Sequence, residues 1–298
     1  MKKIIDDAFL TMLDRSDLNI DRSMRGMFGG ERRTNAFGSS LDFADYREYL
    51  PGDDLRLIDR NLFMRFEKLY IKLFTDERQL FHRIYIDASA SMNWGEHPKK
   101  ETALKMAAAL SYMAVRHNDR VAISTVHRDK CLPVCPPFSG AERFYDAAMK
   151  MNGIRFSGET CYIEALSGKE ELGRDDGFSI VISDFLNEES YRDTVELLLF
   201  KGRRVHLLQV LSRDEIDPGF RGRALLLDSE ARGEEDERNY RVTVDRARIK
   251  AYKQALSVYQ KELRDFCRAR GAGFFTVCSD DPIERILFND AAREGLIV

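Results

Sequence analysis

The sequence predicts a doubly wound α/β protein on a mainly parallel sheet, with a small β-containing satellite segment. Three observations carry the prediction. From about residue 80 onward, strand-like apolar runs alternate with stretches of helical periodicity. The first alternation, "FHRIYID", then "PKKETALKMAAALSYMAVRH", then "RVAISTV", has the order of a strand, a crossover helix and a second parallel strand. With 298 residues, 44% of them hydrophobic, the chain can cover both faces of such a sheet with helices.

Taken in order, residues 1–18 place Ile4, Ile5, Ala8, Phe9, Met12 and Leu13 at amphipathic-helix spacing. A glycine-rich basic link, "RGMFGGERRTNAFGSS", leads to a segment in which the PGDD turn precedes a strand-like "KLYIKLF". After the first βαβ unit, whose helix has Pro98 suited to its first turn, "HRDK" turns the chain into a short strand, "CLPV". Its Pro133 belongs at a sheet edge. A helix near 140–151, the loop "GIRFSGET", a short helix from Cys161 and the strand "GFSIVISD" follow. A helix through "VELLLF" and the strand "RRVHLLQVL" continue the alternation. A hairpin near 223–245 interrupts it, before a long helix from Arg246, the strand "GFFTVC" and a last helix containing "IERILF". The expected division is therefore 1–79, an N-terminal helix with a small β-containing segment, and 80–298, the α/β domain. The small segment and the hairpin are expected to pack together as a satellite lobe.

Composition excludes several classes. The 47 basic and 50 acidic residues nearly cancel, so no general attraction to nucleic acid or an anionic membrane follows. The apolar runs fall short of the about 20 residues of a membrane helix, and the paired aspartates in "MKKIIDDAFL" interrupt any export signal. Five cysteines without a CxxC pair suit a reducing compartment. The expectation is a soluble, cytoplasmic protein.

Ligands of an open parallel sheet bind beyond the carboxyl ends of its strands. Asp87 ends the first core strand, Asp184 closes "SIVISD", and Thr160 precedes a helix. If the chain leaves the strand still extended, Asp87, Ser89 and Ser91 point the same way. Two carboxylates and three hydroxyls form a hard, all-oxygen set suited to Mg²⁺ or Mn²⁺, with room for waters and for an acidic group from outside. Singly, these residue types are also common turn and cap residues. Five of them at three loop positions along one sheet edge favour the metal reading.

"DASAS", with Thr160 and Asp184 downstream, resembles the metal-ion-dependent adhesion site of von Willebrand factor type A domains. Upstream, "LDFADYREYLPGDDLRLIDRNLFMRFEKLYIKLFTDERQL" resembles the segment preceding that domain in bacterial proteins of the domain-of-unknown-function 58 family. Arg60 and Met64 stand where that family usually shows Trp and Ala. The resemblance implies a von Willebrand factor A-like fold and a metal-dependent protein-interaction module rather than an enzyme. The partner it implies is a MoxR-type AAA+ ATPase, or a protein offering an acidic residue to the metal, in protein assembly or remodelling.

A Mg²⁺-dependent phosphoester hydrolase using Asp87 and Asp184 is the alternative. The sequence offers it no GxxxxGK(S/T) loop, no GxSxG elbow and no histidine spaced as a general base. Arg47, Arg56 and Arg65 with Asp53, Asp54 and Asp59 read as a structural ion-pair network. Trp94 and His97 flank the proposed site and are expected to pack the loop after Ser91, with contact to a ligand as the alternative.

Overall fold

The computed structural model describes residues 3–15, 41–76, 80–167, 178–186, 191–226 and 240–287. The glycine-rich link, the charged tip of the expected hairpin and the end of the expected last helix lie outside these residues. The chain divides into two compact units, Gly29–Gln79 and a larger one of Met1–Phe28 with Leu80–Val298.

In the smaller unit β1 (Leu41–Glu48) pairs antiparallel with β2 (Tyr70–Asp76). The aspartates between the strands hold the backbone. Asp54 caps a short 3-10 turn by accepting from Arg56 N, and Asp53 accepts from Leu50 N and pairs with Arg47 at 2.8 Å. Asp59 is the N-cap of a helix over Arg60–Phe66, accepting from the backbone of Asn61 and Leu62. It also binds Lys72 Nζ at 3.1 Å and Tyr46 Oη at 3.1 Å. The expected network is thus built on capping as much as on ion pairs.

In the larger unit the first helix, α1 (Asp7–Arg15), buries Phe9, Leu10 and Leu13 in the main core. Grouping this helix with residues 1–79 is therefore corrected: its apolar face is covered by the α/β body. Six strands form the central sheet. β3 (Phe81–Asp87) is followed by α2 (Lys99–Arg116), β4 (Arg120–His127) and the edge strand β5 (Lys130–Pro133). Then come α3 (Ala141–Met151), α4 (Tyr162–Leu166), β6 (Phe178–Ser183), α5 (Tyr191–Phe200), β7 (Arg204–Leu211) and α6 (Arg213–Ile216). The hairpin β8 (Gly222–Leu226) and β9 (Tyr240–Val244) follows, with α7 (Arg246–Ala269), β10 (Gly273–Cys278) and α8 (Ile283–Arg285). The strand order is β10-β7-β6-β3-β4-β5, all parallel except β5. This is the expected doubly wound class.

Side-chain alternation explains the two layers of core. Ile84, Ile86, Ile180 and Ile182 face α1, α2 and α3, whereas Tyr85 and Val181 face α4, α5 and α7. Each fully buried isoleucine contributes about 1.5–3 kcal/mol relative to exposure, so the sheet centre is the most strongly fixed part of the fold. The Ala-rich α2 is buried almost all round, as a helix between a sheet and further helices must be. It ends where Asn118 takes a left-handed φ of 61°, a conformation Asn tolerates. Among the described residues no helix is long and apolar enough to cross a membrane.

From β3 the chain winds toward β4, and from β6 it winds the opposite way, toward β7. The carboxyl ends of these two neighbouring strands consequently lie at a topological switch point.

Candidate functional site

Asp87 is the last residue of β3 and lies on the same face as Tyr85, 2% exposed. The backbone stays extended through Ser89 (φ −66°, ψ 163°) and then enters a 3-10 turn over Ala90–Asn93. Ser91 therefore arrives by a turn, not by continuation of the strand. Its Oγ nevertheless lies 3.0 Å from Ser89 Oγ. Ser89 N donates to Asp87 Oδ1 at 2.9 Å, so the turn-residue reading of Asp87 holds beside any other role.

Thr160 reaches the same carboxylate from the loop before α4. The loop before it is stitched to the chain leaving β3, with Ser157 N donating to Ala88 O and Ala90 N donating to Gly158 O, both at 2.8 Å. Gly158 has φ +70°, which glycine alone adopts without strain. Thr160 Oγ1 donates to Asp87 Oδ1 at 2.8 Å. Its alternative role as a helix cap is not observed, because the N-cap of α4 is Cys161, with no side-chain cap bond.

Asp184 follows β6, adjacent to β3 in the sheet. Its Oδ1 accepts from Leu186 N at 3.2 Å and its main-chain oxygen from Gln209 Nε2 at 2.8 Å. Phe185 has φ +50°, and its carbonyl accepts from Tyr259 Oη of α7. The structure thus brings together all five residues singled out in the sequence.

Three further residues complete the rim. Ser183 Oγ donates to Asp87 Oδ2 at 2.6 Å. Lys99, the first residue of α2 and 1% exposed, donates to Asp184 Oδ2 at 2.7 Å and to Glu215 Oε1 at 2.5 Å. Glu215 also closes a capping box on α6, its Oε2 accepting from Ser212 N. One sequence signal could have found Lys99: a lysine at a helix start opposes the helix dipole and needs an acid to hold it there. Trp94, by contrast, is 56% exposed; it lies in the outward turn between the 3-10 segment and α2, so the expected packing role is corrected.

The electrostatics follow from burial. Burial, followed by repulsion from Asp184, pushes the Asp87 carboxyl above its ordinary range, against the pull of its bonds from Ser183 and Ser89 N. Burial opposes the Lys99 ammonium, but attraction by Asp184 and Glu215 outweighs it and raises that pKa. The Tyr162 phenol beside the site is pushed well above its usual range, first by burial and then by the charge of Asp87, and remains a neutral wall.

This oxygen set suits a hard cation. Adjacent ligands on an octahedral Mg²⁺ with bonds of about 2.1 Å lie about 3.0 Å apart. The Ser89–Ser91 and Thr160–Asp87 oxygen separations, 3.0 and 2.8 Å, match that spacing as well as ordinary hydrogen bonds. Among the described residues no group of three or more His, Cys, Asp and Glu is placed to hold a metal, so an ion here depends on hydroxyl oxygens. The described hydrogen bonds of Asp87 and Asp184 go to hydroxyls, backbone N–H groups and Lys99, with no histidine among them.

The family profile described as "Protein of unknown function DUF58" matches residues 45–261. Uncharacterized proteins of Mycobacterium bovis and Mycobacterium tuberculosis are 23% identical over 236 residues, spanning 76% of this chain and 73% of theirs. Among solved structures, the SpRpn10 VWA domain aligns with a TM-score of 0.39 at 8% identity, over 70% of this chain and 94% of that one. An uncharacterized membrane-spanning protein from Vibrio fischeri aligns with a TM-score of 0.25 at 10% identity, over 66% and 91%.

Proposed function

Since this chain belongs to the DUF58 family, we propose that it is a protein-interaction module whose partner is captured through a divalent cation at the switch point. Asp87, Ser89, Ser91 and Thr160 would hold Mg²⁺ or Mn²⁺, with Asp184 contributing through water. Bound there, the ion supplies a Lewis-acidic position for a carboxylate of the partner. The observation that carries this reading is Asp87: a buried carboxylate surrounded by hydroxyls and, among the described residues, bonded to no basic side chain. An uncompensated buried carboxylate is costly, and a cation offsets that cost.

The protein's own groups have distinct tasks. Ser183 Oγ and Ser89 N fix the orientation of the Asp87 carboxylate. The loop ending at Thr160 closes one side of the site, and Tyr162 excludes water from another. The partner we propose is a MoxR-type AAA+ ATPase, or a protein presenting an acidic residue. Ion and partner then raise each other's affinity, since each completes the other's site. The hydrolase reading, with Asp87 and Asp184 at the same ion, needs a general base as well, and Lys99, whose pKa two acids raise, is a poor one.

Mn²⁺ titration followed by electron paramagnetic resonance tests the reading. Wild-type protein should show one saturable site, tightened by acetate as a stand-in for the partner's carboxylate and lost in a folded Asp87→Ala variant. Equal binding by both proteins, or none even with acetate, would overturn it.

A further inference from the structure

Lys99 is anchored where a lysine is least expected. It starts a helix, where the dipole already carries positive charge, and its ammonium is withdrawn from water between Asp184 and Glu215. A desolvated ammonium is tolerated only with such partners. Asp87, Asp184 and Glu215 set three carboxyl groups against this single ammonium, an excess of two negative charges when all three are ionised. That excess is the complement of one divalent ion. A unit positive charge a few ångströms from an ion position changes its affinity by more than one factor of ten at protein dielectric.

We propose that Lys99 is a resident competitor for Asp184, which weakens the rim's hold on a divalent cation and so makes ion binding wait on the acidic group a partner brings. The inference rests on the metal reading above. Glu215 shares the ammonium and thereby limits how fully Lys99 commits to Asp184. Its main-chain oxygen accepts from Tyr252 Oη of α7 at 2.7 Å, which fixes the α6 turn that presents it.

The test is a Mn²⁺ titration by electron paramagnetic resonance on the full chain, with thermal unfolding to confirm folding. Lys99→Met removes the competitor and should bind Mn²⁺ at least about tenfold more tightly, with a smaller additional gain from acetate. Glu215→Gln keeps the oxygen that caps Ser212 N but frees Lys99 to bind Asp184 alone, so Mn²⁺ binding should weaken by about threefold. Shifts in opposite directions are not what a purely structural role gives. A folded Lys99→Met variant with wild-type or weaker affinity overturns the role of Lys99 while leaving the metal reading standing. Should Lys99→Met fail to fold, Glu215→Gln decides, and unchanged or tighter binding overturns the proposal. Absence of Mn²⁺ binding in wild type and both variants, with and without acetate, removes the metal reading itself and this inference with it.

Discussion

The two ends of the central sheet both bury ionisable groups, yet they do so differently. At the amino end of β3, His82 lies against Phe178, ring centroids 5.4 Å apart, and its Nε2 is 2.9 Å from the Asp119 carboxylate. Asp119 also accepts from Leu80 N at 3.0 Å. There an acid meets an imidazole and a backbone donor, an arrangement that joins the starts of β3 and β4. At the carboxyl end, two carboxylates share one lysine, and the described bonds of Asp87 beside them come from two hydroxyls and one backbone N–H. Burial of charge is common to both ends, so it cannot mark a site. What separates them is the sign of the excess: acids outnumber their bonded bases at the carboxyl end, where we propose the ion binds.

Four measurements would break or sharpen this contrast. The largest effect is expected from Asp119→Ala, which removes the acceptor of the buried His82 and of Leu80 N and should lower stability by about 3 kcal/mol. Mn²⁺ affinity should not change; a parallel loss would mean that the two ends are coupled. Gly273→Ala, also at the amino end, should cost about 1–3 kcal/mol in urea unfolding, because its new Cβ would meet the His206 ring at 2.3 Å. Wild-type stability there would show that the ring moves aside freely.

His206 gives the next effect, through pH. Burial, then the Arg204 charge, lowers its pKa to about 4. The unfolded chain therefore binds this proton more readily than the folded one. The corresponding stability is present above about pH 6.5 and is lost as pH falls toward about 4, with about 1–2 kcal/mol gone by pH 5. Urea midpoints that fall with acidification in wild type but less in His206→Gln would agree; parallel profiles would not. The smallest effect belongs to the rim. In metal-free protein Asp87→Asn should leave stability unchanged or raise it by up to about 1 kcal/mol, since the ionised form is the strained one. A clear loss of stability would make Asp87 a structural residue like Asp119.

Much of this was legible in the sequence for a definite reason. Strands such as "RIYID" and "SIVIS" are buried on both faces, so their apolar runs are continuous and end abruptly. Each abrupt end delivered a site residue, Asp87 or Asp184. Ser183 escaped notice because a serine closing a strand has no pattern of its own; only the pairing of β6 beside β3 sets it against Asp87. Lys99 and Glu215 lie 116 positions apart, and their meeting depends on the whole winding of the sheet. The helix α1 announced its apolar face clearly but not what would cover that face, because periodicity carries no address.

That helix has a consequence for how the molecule assembles. Asn152 Oδ1 accepts from the backbone of Ile4 and Ile5, 148 and 147 positions earlier, and Asp14 accepts from Tyr112 of α2 and Tyr145 of α3. During synthesis α1 is made before α2 and α3, the helices it docks on. Its exposed Phe9, Leu10 and Leu13 must stay unsatisfied through that interval. Contacts of such long sequence separation form late, after the loop-closure entropy between them has been overcome. A helix made before the two it docks on is thus among the late ones to be secured, and its arrival seals the sheet face opposite the one that bears Asp87.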